Sequence, residues 1–399
     1  MNILVINAGS SSLKFQLNDG DSGDVIIRGH YLEIGDIAAK PSTVRKISVD
    51  GRDETATIAN SDHGAAIMDM LGILRERGFV KDEGDIAAIG HRIVHGGERF
   101  SGATLITPEV LGYIEEISVL APLHNPVALT CIKALSDPLP RVPHFAVFDT
   151  AFHRTIPESV YLYGLPYELY TKFGIRKYGF HGSNHAHIAL RASEILGRDS
   201  GDLNIITCHL GNGQSVCAVK KGESVDTSMG FTPLEGLPMG TRSGSFDPEI
   251  IFFLMKRGYA PEAIQAMINR KSGLLGVSGI SSDYKIIEER ARAGDAAARR
   301  ASDILINRIV CLIGSYTAEM GGVDAIVFSG GIGENSAYLR GRVLGHFGYC
   351  GLILDAAANE RGDEIITAPG SSIRALVVPA NEERQIARET ARAIVNVSG

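Results

Sequence analysis

Neither a GxxxxGK(S/T) run nor a complete GxGxxG occurs in the 399 residues, so the P-loop and Rossmann modes of phosphate binding lose support. CxxC is missing as well. The five cysteines, Cys131, Cys208, Cys217, Cys311 and Cys350, are odd in number and widely spaced, which fits neither a disulfide framework nor a zinc ribbon and points to a reducing cytoplasm. Basic charge is in deficit: 39 Lys and Arg against 46 Asp and Glu give a net charge of −7. A phosphate-coating surface of the nucleic-acid-binding kind is therefore excluded, and any anion must be held locally. The apolar stretch 1–6 lacks a basic leader and soon meets Asn7 and Gly9, so it reads as a buried first strand rather than a signal peptide or a membrane span. No low-complexity linker interrupts the chain.

Hydrophobic residues make up 44% and charged residues 21%, ordinary globular usage that supports a packed core and argues against disorder. The 46 glycines cluster after apolar runs, where backbone turns tightly or approaches a ligand, a distribution that suggests nucleotide binding. The length exceeds the roughly 250 to 300 residues at which one core usually stops growing, so two domains with a cleft are expected. An internal repeat agrees. Residues 2–17 read as strand, small polar turn, strand (ILVI, NAGSSS, LKFQL), and 204–219 repeat the plan (IITC, HLGNGQS, VCAVK), aligning Asn7 with His209 and Gly9 with Gly211. Residues 87–97 (AAIGHRIVHGG) and 324–331 (DAIVFSGG) correspond in the same way, so two copies of one α/β unit are expected. Helical periodicity marks 62–78, 248–257, 297–321 and 381–395, and the domain boundary is placed at 149–157.

A phosphate cradle is offered by the turn 7–12, with adjacent backbone NH groups, the hydroxyls of Ser10, Ser11 and Ser12, and the cation of Lys14. The second copy offers Gly211, Asn212 and Gly213. The run 329–335 (SGGIGEN) has glycines dense enough for backbone to lie flat against a flat ligand such as adenosine.

ILVINAGSSSLK, GHRIVHGG, APLHNP, VFDTAFH, YGFHG, GNGQS, GFTPLEGLPMGTRSG and SGGIGENS stand in the order in which acetate kinases carry them, and from Asn7 to Glu382 the chain resembles that family. The resemblance implies an α/β fold of two duplicated actin-like ATPase (ribonuclease H-like) domains with an interdomain cleft for the nucleotide. Residues 1–150 would form the first domain and 151–383 the second, with a C-terminal helix, about 384–399, packing back on the first. It further implies reversible transfer of the ATP γ-phosphoryl group to acetate by direct in-line displacement, giving acetyl phosphate and ADP. Mg2+ is the implied metal, with Mn2+ as a substitute. The implied setting is a cytoplasmic homodimer without nucleic-acid or membrane partners.

Acetate is ionised at neutral pH and needs no base to attack phosphorus; the obstacle is repulsion between anions. A carboxylate about 4 Å from one phosphate charge is opposed by roughly 4 kcal/mol at an effective dielectric near 20, so cations must line the path. Arg92 and Arg242, in glycine-flanked loops, have the forked geometry for this. By resemblance, Arg92 holds acetate and Arg242 the transferring group, while His181 donates to the equatorial oxygens of the transition state. Asp149 orients Arg92 or a metal-bound water. His209 contacts phosphate and His124 supports. Asn7 and Glu382 hold magnesium, Glu382 being favoured over Glu383 by resemblance alone. Nucleotide contacts fall to Asn7, Ser10, Ser12, Lys14, His209, Leu210, Gly211, Asn212, Gly213, Asp283, Tyr284, Lys285, Gly331, Ile332, Gly333, Glu334 and Asn335. Val94, Leu123 and Pro233 would wall the acceptor methyl group.

Ser183, Asn184, Pro238, Ser245, Phe246 and Lys285 depart from the usual family pattern, touching acceptor size, loop geometry and the adenine side. Three rival readings stand. A propionate or butyrate kinase would differ only in acceptor pocket; a sugar or polyol kinase would need Asp149 as base; an actin-like binding module would bind ATP without making an acyl phosphate.

Overall fold

An unbroken apolar run makes β1 (Asn2–Gly9) a central strand, buried from Ile3 to Ala8. The polar turn after it folds the chain into antiparallel β2 (Ser12–Asp19), and β3 (Val25–Leu32), β4 (Ser42–Val49) and β5 (Arg52–Ala59) continue the meander. On the other side of β1, β6 (Ala88–Ile93) and β8 (His144–Phe148) run parallel, with the short β7 (Thr104–Leu105) at the edge. The sheet order is β5-β4-β3-β2-β1-β6-β8-β7. The computed structural model describes residues 1–35, 42–59, 62–122 and 124–398.

Helices His63–Glu76 and Asn125–Ser136 bury Met70, Leu71, Leu74, Cys131 and Leu135 against the Leu4, Ile6, Leu13 and Phe15 side of this sheet. Helix Glu382–Ser398 covers Ile3, Val5, Ala88, Phe145 and Val147 through Ile386 and Ala387. Gly90 makes that approach possible, since a Cβ there would lie 2.3 Å from Thr390 Oγ1. The C-terminal helix is thus an integral part of the first compact unit, Met1–Phe152 with Asn381–Gly399; the second unit is His153–Ala380.

The second unit holds β9 (Asn204–Leu210), β10 (Gln214–Lys220), β11 (Glu223–Thr227), β12 (Ala325–Ser329) and β13 (Arg374–Val377) in the order β11-β10-β9-β12-β13. This is the order β3-β2-β1-β6-β8 again, so the duplication read from the sequence is present in the topology. Register makes it residue-specific. Ile3 pairs with Ala88 as Ile205 pairs with Ala325, which places Asn7 and His209 at equivalent points on equivalent strands. The long helix Ala296–Met320, capped by Asp295 at its start and by left-handed Gly321 at its end, buries Leu305, Ile309 and Ile313 in the core of this unit. Helix Gly182–Leu196 packs on β9 and β12. Among the described residues no helix is long and apolar enough to cross a membrane.

Candidate active site

In the first unit the ends of β1, β6 and β8 deliver their side chains to one place, the carboxyl edge of parallel strands where α/β sheets usually build sites. Arg92 is the hub. Its Nε lies 3.1 and 3.0 Å from the two oxygens of Asp149 and its Nη2 2.5 Å from Oδ2, while Nη1 donates to Asn7 Oδ1 at 3.1 Å. Asn7 Nδ2 in turn donates to Glu382 Oε2 at 3.2 Å and to Glu383 Oε1 at 2.8 Å. Glu382 Oε2 stands 3.7 Å from Arg92 Nε, and Lys14 Nζ 3.8 Å from Glu383 Oε1. Burial works against the Arg92 charge, but Asp149, Glu382 and Glu383 outweigh it and raise its pKa above the ordinary value.

The motifs around these residues are locked by backbone contacts. Asn125 accepts from His95 N at 3.2 Å and donates to His95 O at 3.0 Å, and Thr150 Oγ1 accepts from Gly96 N at 3.0 Å. His124 caps helix Asn125–Ser136 without a side-chain cap bond. Val94 is buried just past β6, whereas Leu123 lies outside the described residues. In the β1–β2 turn Ser10 is exposed and Ser12 half-buried. His63 donates from Nε2 to Gly9 O at 2.9 Å and steadies this turn, a contact with no sequence signature.

In the second unit His181 precedes helix Gly182–Leu196 in a left-handed conformation, φ 59°, a sparsely populated region for a residue with a Cβ. Its ring centroid lies 4.3 Å from that of His209. A Cβ on Gly213 would sit 3.3 Å from His181 Nε2 and 3.8 Å from Arg242 Nη1, so the turn between β9 and β10, the imidazole edge and the guanidinium converge. Among the described residues the partners of Arg242 Nη1 are the Pro233 carbonyl at 3.4 Å and Met239 Sδ at 3.6 Å, and burial lowers its pKa. Among the described residues no carboxylate pairs with it. A partly desolvated guanidinium in that state has donors that can meet an incoming anion.

Beside this turn a cavity of about 880 Å³ is lined by Gly211, Asn212, Asp283, Tyr284, Lys285, Gly331, Ile332 and Asn335, which brings together eight residues singled out for nucleotide contact. Ser282, Glu288, Glu289, Arg292 and Ser336 line it too and were not foreseen. Glu288, Glu289 and Arg292 belong to helix Tyr284–Arg292 and Ser282 to the turn before it, while Ser336 caps helix Ala337–Leu344; amphipathic spacing alone does not say which face meets a ligand. Gly333, Glu334 and Leu210 stand apart from the lining. Glu334 Oε1 accepts from Gly330 N at 2.7 Å and from Ala380 N at 2.9 Å, an internal tie of the loop, and Leu210 is buried. Asp283 caps its helix by accepting from Lys285 N at 2.9 Å, and the Tyr284 hydroxyl meets Ser302 Oγ at 2.9 Å.

The sequence model of the acetokinase family matches residues 2–388. The acetate kinase of Bacillus subtilis (strain 168) is 51% identical over 393 residues, 98% of either chain. Among solved structures, Porphyromonas gingivalis acetate kinase superposes with a TM-score of 0.91 at 42% identity, covering 99% of both chains. A propionate kinase from Francisella tularensis gives a TM-score of 0.90 at 37% identity over 97% of this chain and 98% of that one. With the match running nearly end to end, the chain belongs to the acetokinase family of phosphotransferases, whose acceptor is a carboxylate.

Proposed function

We propose that the chain carries out reversible transfer of the γ-phosphoryl group of magnesium ATP to acetate, giving acetyl phosphate and ADP. The observation that carries this reading is the pair of arginines in opposite electrostatic states. Arg92 is compensated and fixed by Asp149, suited to holding a planar acceptor carboxylate at its remaining edge. Arg242 is uncompensated, suited to charge that builds up on a transferring phosphoryl group. His181 and His209 beside the Gly211–Gly213 turn add donors to phosphoryl oxygens, and the adjoining cavity takes adenosine.

Asp149 is only 1% exposed and both its oxygens are committed to Arg92, which makes it a poor base. That favours an acceptor already ionised over a sugar hydroxyl. Glu382 and Glu383 converge on the Asn7 amide, and such hard oxygen donors fit magnesium, which Asn7 and Glu382 would hold together with phosphate oxygens. The ion, when bound, neutralises phosphate charge; the residues around it orient its carboxylates.

Acceptor preference is the finer question. One methylene is worth about 1 to 3 kcal/mol in a hydrophobic pocket, so propionate is a secondary substrate on this reading. Incubation with ATP, Mg2+ and hydroxylamine should give hydroxamate fastest with acetate, more slowly with propionate and slowest with butyrate. A faster rate with propionate would shift the assignment to propionate kinase, and ATP binding without hydroxamate would end the kinase reading. Helix Glu249–Lys256 exposes Ile250, Phe252, Phe253 and Met255 and buries no residue, which supports a homodimer covering that face. Light scattering should then report two chains for the native protein and one for Phe253→Glu. Five free cysteines, three of them buried, support a reducing cytoplasm.

A further inference from the structure

Behind His181 runs a chain of side chains that the phosphoryl chemistry above does not use. Ser215 Oγ lies 2.8 Å from His181 Nδ1 and 2.7 Å from His185 Nε2, and His185 Nδ1 lies 2.8 Å from Thr207 Oγ1. Thr207, His185 and Ser215 are fully buried. They come from β9, helix Gly182–Leu196 and β10, so the whole chain is built by register and packing within the second unit.

Each neutral imidazole has one N–H and each hydroxyl one proton; among the described residues Ser215 Oγ meets only the two rings, so its proton goes to one of them and the four groups can be ordered in two directions. If His185 Nδ1 donated to Thr207, the Thr207 proton would have to reach the Cys217 carbonyl at 3.4 Å, beyond the 2.5 to 3.0 Å of an ordinary O–H···O bond. The opposite direction leaves no such long bond. Thr207 donates to His185 Nδ1, His185 Nε2–H donates to Ser215, and the Ser215 hydroxyl donates to His181 Nδ1. This order requires a neutral His185, and deep burial, with neighbouring histidines, disfavours its charged form.

We propose that Ser215, polarised by His185 and Thr207, is a positioning residue that holds His181 as the Nε2–H tautomer, so that the neutral ring meets a phosphoryl oxygen as a hydrogen-bond donor. The edge carrying that proton faces Gly213 and Arg242 Nη1. An Nδ1–H tautomer would turn a lone pair toward the anion instead. The proposal rests on the phosphotransfer reading and deepens it. It explains how a histidine can serve a polyanion without first taking up a proton.

Nitrogen-15 NMR of the ligand-free wild type should find the His181 proton on Nε2 at pH 8, with Nδ1 bare and hydrogen-bonded; a neutral ring protonated on Nδ1 overturns the proposal. Ser215→Ala should lower kcat about 10- to 100-fold with both KM values within about three-fold, because the tautomer matters most in the transition state. Its kcat should also rise as pH falls from 8 to 6, since the imidazolium regains an Nε2–H, and Ser215→Thr should restore the wild-type profile. Wild-type kcat and an unchanged pH profile in Ser215→Ala would refute the role. Should that variant fail to fold, the wild-type NMR assignment decides alone. Absence of hydroxamate from the wild type would defeat the kinase reading while leaving the tautomer result standing.

Discussion

Arg92 grips Asp149 through contacts of 3.1, 3.0 and 2.5 Å, while Arg242, the other arginine read as functional, has a carbonyl and a thioether for company. The first guanidinium is held still by a buried carboxylate. The second is left short of negative charge. Stability should therefore respond in opposite ways to loss of the two arrangements, while catalysis depends on both.

Arg242→Ala should lower kcat by orders of magnitude with ATP affinity nearly unchanged, because the charge it meets develops in the transition state. Removing an uncompensated, partly buried cation should leave the melting temperature unchanged or raise it. Near-normal turnover, measured with saturating ATP and acetate, would remove Arg242 from the phosphoryl site.

Asp149→Ala strands the buried Arg92 charge, and breaking a buried pair in this way costs about 3 to 5 kcal/mol. Urea unfolding of the variant should show that loss in the first unit. Asp149→Asn keeps the shape but not the charge and should cost less stability. Both should lower kcat/KM for acetate, since Arg92 loses its fixed orientation. If Asp149→Asn gained activity on any hydroxyl acceptor, or Asp149→Ala unfolded at the wild-type urea midpoint, the assigned pairing would be wrong.

The metal assignment separates the neighbouring glutamates. Glu382 Oε2 is shared between Asn7 and the flank of Arg92, whereas Glu383 is joined to Asn7 at 2.8 Å and faces Lys14. Glu382→Gln should raise the Mg2+ concentration giving half-maximal activity about ten-fold, as loss of a carboxylate ligand or its support does. Glu383→Gln should shift it less. A reversed order in the magnesium titrations would move the ligand to Glu383, and equal small shifts would place the metal elsewhere.

Much of the frame was legible because it is written in local patterns. The hairpins at 2–17 and 204–219 carry uninterrupted apolar strands around small polar turns, and the helices read at 62–78 and 297–321 appear as His63–Glu76 and Ala296–Met320. Strands β4 and β5 were not anticipated. β5, the edge strand, opens with the exposed charged residues Arg52, Asp53 and Glu54, and β4 beside it carries Arg45 and Lys46 among its apolar residues, so no hydrophobic run announces them. The site divides in the same way. Arg92, His181 and Arg242 stand out in glycine-flanked segments, but Ser215, His185 and Thr207 are ordinary strand and helix residues. Only the pairing of Cys217 with Thr207 across β9 and β10, and the packing of a helix over them, makes the three neighbours.

Buried histidines set the acid limit of the fold. Burial pushes the pKa of His95, His144 and His153 down to about 4, and those of His91 and His185 well below 6.5. These rings are neutral in the native protein, while in the unfolded chain they bind protons below about 6.5. Between pH 4 and 6.5 the unfolded state therefore holds more protons, and stability rises with pH. The contribution is complete above 6.5 and is lost as pH falls, at about 1.4 kcal/mol per pH unit for each ring. His91, His95 and His144 belong to one unit and His153 and His185 to the other, so both should weaken. The urea midpoint should drop clearly from pH 7.5 to pH 5.5, where carboxylates hardly titrate. Equal midpoints would mean that the rings are already charged in the fold, which would also remove the neutral His185 that the chain behind His181 requires.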